Sequence, residues 1–135
     1  MEPAGFTEMD HKADWAVKVW APDFAGLLIE SARAMFSLTE LHLRPEPREF
    51  RQINLSAADR ESLLVVFLSE LIYLDEQESL GFDFFDLVVD RYNLSARIEG
   101  AAIISQSKEI KAVTYHNLAI CETAGSLEVT IVFDV

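Results

Sequence analysis

Apolar and polar positions alternate along residues 15–20, with Trp15, Val17 and Val19 on one side and Ala16, Lys18 and Trp20 on the other. Alternation with a period of two predicts a half-buried strand whose Trp15 side faces the core. Ala21-Pro22-Asp23 ends it, and the Asp23 carboxylate is placed to accept from a free amide in the first turn of a following helix. The period then changes. Phe24, Leu27, Leu28, Ser31, Ala34, Met35 and Leu38 recur at three and four, which predicts a helix over Phe24–Leu38 with one buried stripe. Pro45 and Pro47 break the pattern, so 39–48 reads as a connecting loop, and 49–55 as a short strand with Phe50 and Ile53 turned inward. Ser56-Ala57-Ala58-Asp59 has the spacing of a capping box. Residues 63–74 are apolar on nearly every side, as expected of a helix buried at the centre of the core.

After Leu80-Gly81 the pattern is that of strands. Residues 82–92 and 94–104 form an expected hairpin turning at Asn93, 110–122 a third β segment and 127–135 a fourth. In the last, Leu127, Val129, Ile131, Phe133 and Val135 share a face. The order β-α-β-α-β-β-β-β predicts an α+β fold, a two-layer sandwich with two helices on one face of a mainly antiparallel sheet. The expectation is one domain over residues 1–135, with 1–6 a loose N-terminal end. No repeat or linker divides the chain.

A chain of 135 residues can bury a core without staples. Its formal charge of −12 disfavours direct contact with nucleic-acid phosphates and anionic membranes, which are bound through clustered Lys and Arg. A role in RNA chemistry would therefore run through a protein partner. The single cysteine, Cys121, excludes an intrachain disulfide, and its place in Leu118-Ala119-Ile120-Cys121 predicts a buried structural thiol. The acidic N-terminus, with Glu2, Glu8 and Asp10, argues against a signal peptide, and no stretch has the apolar length of a membrane span. A cytoplasmic location is expected.

Candidate chemistry gathers at the two ends. Asp10, His11 and Asp14 lie within five residues just before the first strand, and Val132-Phe133-Asp134-Val135 closes the chain. Asp10 and Asp14 share one face of an extended chain, and if the fold joins these segments, three carboxylates meet in one volume, Asp134 and the terminal carboxylate among them. Such a cluster repels itself unless a cation compensates. Oxygen donors favour a hard ion, Ca²⁺ first, with Mg²⁺ or Mn²⁺ as alternatives. The plain alternative is a pair of solvated strand-end aspartates. A small metal-dependent hydrolase using Asp10, Asp14 and His11 is a second reading, and it would need a concave pocket beside the metal. His116, like His11, has no recognisable ligand spacing and reads as a structural histidine, and His42 has no evident partner.

Three segments resemble the archease family. Asp10-His11-Lys12-Ala13-Asp14 is similar to the family's Asp-His-Thr-Ala-Asp, with Lys12 in place of Thr. Glu109-Ile110-Lys111-Ala112-Val113-Thr114-Tyr115-His116 is similar to its Glu-Val-Lys-Ala-Val-Thr-Tyr-His, followed here by Asn117 where the family has glycine. Val132-Phe133-Asp134-Val135 looks like its apolar-Asp-Ile or apolar-Asp-Val ending. The resemblance implies a protein cofactor rather than an enzyme. Its partner would be the RNA ligase of tRNA splicing and RNA repair, which joins 2′,3′-cyclic-phosphate or 3′-phosphate ends to 5′-hydroxyl ends. The cofactor would promote guanylylation of that ligase and its multiple turnover. It also implies a metal site at Asp14, Asp134 and Val135, the last through its terminal carboxylate.

Overall fold

The computed structural model describes residues 3–9 and 15–135. The elements run β1 (Gly5–Met9), β2 (Trp15–Ala21), α1 (Phe24–Leu38), β3 (His42–Leu43), β4 (Glu49–Ser56), α2 (Arg60–Glu78), β5 (Leu80–Asp90), β6 (Asn93–Ser105), β7 (Ala112–Val113), β8 (Cys121–Thr123) and β9 (Ser126–Asp134). The fold is α+β, with two helices packed against antiparallel sheet. The sheet is divided in two. One has the order β1-β2-β9-β7 with β8 also on β9, and the other β3-β6-β4 with β5 on the far side of β6. Each helix touches both. α1 packs on β1, β2 and β9 of the first sheet and β5 of the second, whereas α2 packs on β4, β5 and β6 of the second and β7 of the first. This double cover explains why α2 is apolar around most of its circumference: Leu63, Leu64, Phe67, Leu68 and Leu71 are all fully buried.

Local signals account for most boundaries. Asp23 Oδ1 accepts from the Gly26 amide at 2.7 Å, and α1 occupies the span its apolar stripe predicts. The cap of α2 is Asp59, whose Oδ1 accepts from the Ser62 amide at 2.7 Å, so the helix starts after the Ser56–Asp59 spacing instead of within it. The β5–β6 hairpin turns at Arg91-Tyr92, with Arg91 at φ 55°, two residues before the expected point. The β8–β9 hairpin turns through Ala124 and Gly125, at φ 39° and 80°, a backbone that favours glycine and matches the twist of paired strands.

Four expectations are corrected. The chain is not loose up to residue 6, because Gly5–Met9 pairs with β2, Gly5 opposite Trp20. Phe50 faces solvent while Arg51, Ile53 and Leu55 turn inward; positions 50 and 53 differ by an odd number and cannot share a strand face. Residues 110–122 are not one strand. They form β7, an irregular passage and β8, with Asn117 at φ 51° as its side chain tolerates. In consequence Cys121 is exposed on the short strand β8, not buried.

Candidate functional site

Two of the three segments that carry the family resemblance meet at the end of β9, and Trp15, the residue after the third, pairs there too. Phe133 pairs with Trp15 of β2 on one side and with Val113 of β7 on the other. Trp15 is the residue that follows Asp10-His11-Lys12-Ala13-Asp14 in sequence, and Val113 is the middle of the Glu109–His116 segment. Asp14, one of the three expected metal ligands, lies outside the described residues, as do Asp10, His11 and Lys12.

Backbone hydrogen bonds clamp the strand that holds Asp134. The Lys111 amide donates to the Asp134 carbonyl at 2.8 Å, and the Thr114 amide and Oγ1 both donate to the Val132 carbonyl at 3.0 Å. Thr114 Oγ1 also accepts from the His116 amide at 3.3 Å, so one hydroxyl ties the strand end to the turn beyond it. Phe133 is fully buried, Val135 packs its side chain against the core, and Asp134 between them is exposed. Among the described residues the Asp134 carboxylate takes part in no ion pair or hydrogen bond, which leaves both oxygens free for a ligand. A cation does sit nearby: Lys108 Nζ lies 4.2 Å from the Trp15 ring centroid.

No group of three His, Cys, Asp or Glu side chains among the described residues is placed to share an ion. Two grooves, of about 760 Å³ beside Glu40 and His42 and about 510 Å³ beside Phe50 and Phe84, include neither Asp134 nor Val135. His116 is exposed, its Nε2 3.3 Å from Asn117 Nδ2, and His42 is exposed on β3. Among the described residues, the carboxyl held above its ordinary value is elsewhere. Burial of Asp75 in α2 pushes it above the usual carboxylate range, and Glu109 and Glu76 add to this, against the Gln106 amide donating at 3.2 Å. Sequence periodicity marks this helix as core and gives no sign of that polar contact. No described helix is long and apolar enough to cross a membrane.

The model of the Archease protein family (MTH1598/TM1083) matches residues 6–135. Among curated proteins, Protein archease of Methanosarcina barkeri is 32% identical, with 94% of this chain and 93% of that protein covered. Protein archease of Methanothermobacter thermautotrophicus is 27% identical, with coverages of 96% and 98%. The fold is similar to the solution structure of Methanobacterium thermoautotrophicum protein 1598, with a TM-score of 0.72 at 22% identity over 97% of this chain and 99% of that one. It is also similar to the crystal structure of a Thermotoga maritima archease described as a possible chaperone, with a TM-score of 0.71 at 20% identity over 96% of both chains. By extent of match and order of motifs, this chain belongs to the archease family.

Proposed function

We propose that this protein is a non-enzymatic activator of an RNA-splicing ligase in the cytoplasm, promoting guanylylation of the ligase and its multiple turnover through an acidic, metal-binding corner. The observation that carries this reading is the pairing of Phe133 with both Trp15 and Val113, which brings two family segments and the residue after the third to one strand terminus. Asp14 precedes Trp15 and Asp134 follows Phe133, so the two carboxylates flank a pair of residues that face each other across the ladder.

The donor set suits the group it would hold. Asp14 and Asp134 supply carboxylate oxygens and Val135 a main-chain oxygen, a hard set that takes Ca²⁺ and tolerates Mg²⁺ or Mn²⁺. When bound, such an ion supplies positive charge that offsets the repulsion between the carboxylates. The chain's own residues do the positioning: Thr114 and Lys111 hold the β9 backbone, and Val135 anchors in the core, so Asp134 is presented on a rigid edge. An exposed corner on a strand end favours entry into a partner's site over enclosure of a small substrate. The net charge of −12 supports a partner with a basic surface.

The test is transfer of labelled GMP to the cognate ligase with GTP and Mn²⁺. The wild-type protein should accelerate labelling, and Asp14→Ala and Asp134→Ala should each remove most of that acceleration. Equal labelling with and without the wild-type protein would end this reading.

A further inference from the structure

The outer face of the second sheet gathers exposed apolar side chains around a pair of opposite charges. β6 lies between β4 and β5, so each row across the sheet joins three residues. The first row is Phe50, Glu99 and Phe84, the next Gln52, Arg97 and Asp86, and the third Asn54, Ser95 and Val88. Residues opposite one another in antiparallel strands share a face, and these point away from the helices. Phe50 is 66% exposed, Phe84 54% and Val88 67%, and a groove of about 510 Å³ runs between the two phenylalanines past Arg97 and Asp86.

We infer that this face is an isologous interface with a second copy of this chain. Its charges are nearly balanced, Arg48 and Arg97 against Asp83, Asp86 and Glu99, in a protein whose formal charge is −12. Arg48 is spoken for: its guanidinium donates to Asp83 and, at 2.8 Å, to Glu99. Arg97 and Asp86 are opposite each other in the register, yet among the described residues neither takes part in an ion pair. One free cation and one free anion side by side, between exposed aromatic walls, make a patch complementary to itself. A two-fold axis through the groove sets each Arg97 against the other copy's Asp86 and stacks the Phe50–Phe84 walls, so each pair forms twice. Aromatic and arginine side chains are the groups that anchor such contacts. A basic or acidic protein partner would leave one of the two free charges unmatched.

Net charge gives the dimer a signature. Two chains of −12 repel at long range while the charges within the contact nearly balance, so added salt screens the repulsion and strengthens association. Contact with a basic partner would weaken under the same change. The experiment is sedimentation of the full chain across concentration at low and high salt. The wild type should shift toward twice its 15.2 kDa mass as salt rises. Arg97→Asp and Asp86→Arg should each weaken self-association by about tenfold or more, since each places like charges against one another. An equimolar mixture of the two variants should restore a dimer. Across its axis the introduced aspartate meets the introduced arginine, and the native Asp86 of one variant meets the native Arg97 of the other. Phe84→Glu should remove association while circular dichroism stays unchanged, as the side chain is exposed. A wild type that stays monomeric under all conditions would overturn the inference. So would single variants that associate as well as the wild type, or a mixture that does not.

Discussion

Trp15 and Phe133 stand opposite each other across the β2–β9 ladder, and each is the chain neighbour of an aspartate, Asp14 before the one and Asp134 after the other. The proposed metal site depends on this pairing, because a shift of register by one residue would turn a strand's side chains to the other face.

Calcium should therefore stabilise the fold. At a hundred times its dissociation constant, a ligand bound only by the native state adds about 2.7 kcal/mol. A thermal melt with Ca²⁺ against EDTA should show a higher midpoint with the ion. Asp134→Ala should abolish the difference while changing the EDTA midpoint little, since the strand's hydrogen bonds at that residue come from its carbonyl and not its side chain.

Lys12→Thr should tighten metal binding. An ammonium two residues from Asp14 competes with the ion for the same carboxylates, and its removal should raise affinity by roughly a few-fold, in line with the modest worth of exposed charge pairs. Calorimetric titration with Ca²⁺ would read the change.

Asp75→Asn should stabilise the protein near neutral pH. The raised carboxyl means that the folded state holds a proton more tightly than the unfolded state, so Asp75 disfavours folding as pH rises above the ordinary carboxylate range. Gln106 Oε1, in the same contact, is a buried acceptor with no partner among the described residues, and the side-chain amide introduced by the substitution can donate to it. A satisfied buried hydrogen bond contributes about 1 kcal/mol. The gain over wild type should be clear at pH 7, and its charge-dependent part should vanish in acid.

Asp59→Ala should act in the opposite sense. The Ser62 amide that donates to Asp59 holds its carboxyl below the usual range, so its stabilisation is present above the unfolded pKa and is lost as pH falls through the folded one. Melting of the variant should be lower than wild type at pH 7 and converge with it in acid.

Gly100→Ala should unfold the second sheet. A Cβ there would lie 1.8 Å from the Gly81 carbonyl oxygen, backbone that cannot swing aside as a side chain does. A loss of roughly 3 kcal/mol or more is expected from such overpacking, read by denaturant titration.

The helices were legible from their apolar patterns, and for α1 a second signal agrees. The apolar stripe sets the span of α1, and Asp23 marks its start. Residues 49–55 show the limit: the most apolar residue of the stretch, Phe50, faces out beside Gln52 and Asn54, while Arg51 faces in beside Ile53 and Leu55. Arg51 can turn inward because Glu78, at the end of α2, receives its guanidinium, a partner twenty-seven residues away that no local pattern reveals. β1 was missed because only Phe6 of its residues packs on the core, too little for an alternation to show. For the candidate site, sequence supplied the residues through resemblance; the structure added the ladder that sets Trp15 and Val113 on either side of Phe133, a relationship between positions too distant for spacing to express.

That ladder also sets when the site can exist. The strands β2 and β9 pair although more than a hundred residues lie between them, so their closure spans almost the whole chain. Contacts of such high order form late, after the loop entropy of everything between has been met. A truncated or half-folded molecule can build α1, α2 and the β5–β6 hairpin and still lack the ladder on which the proposed acidic corner depends. A partner that recognises the corner would in effect be engaging only finished molecules.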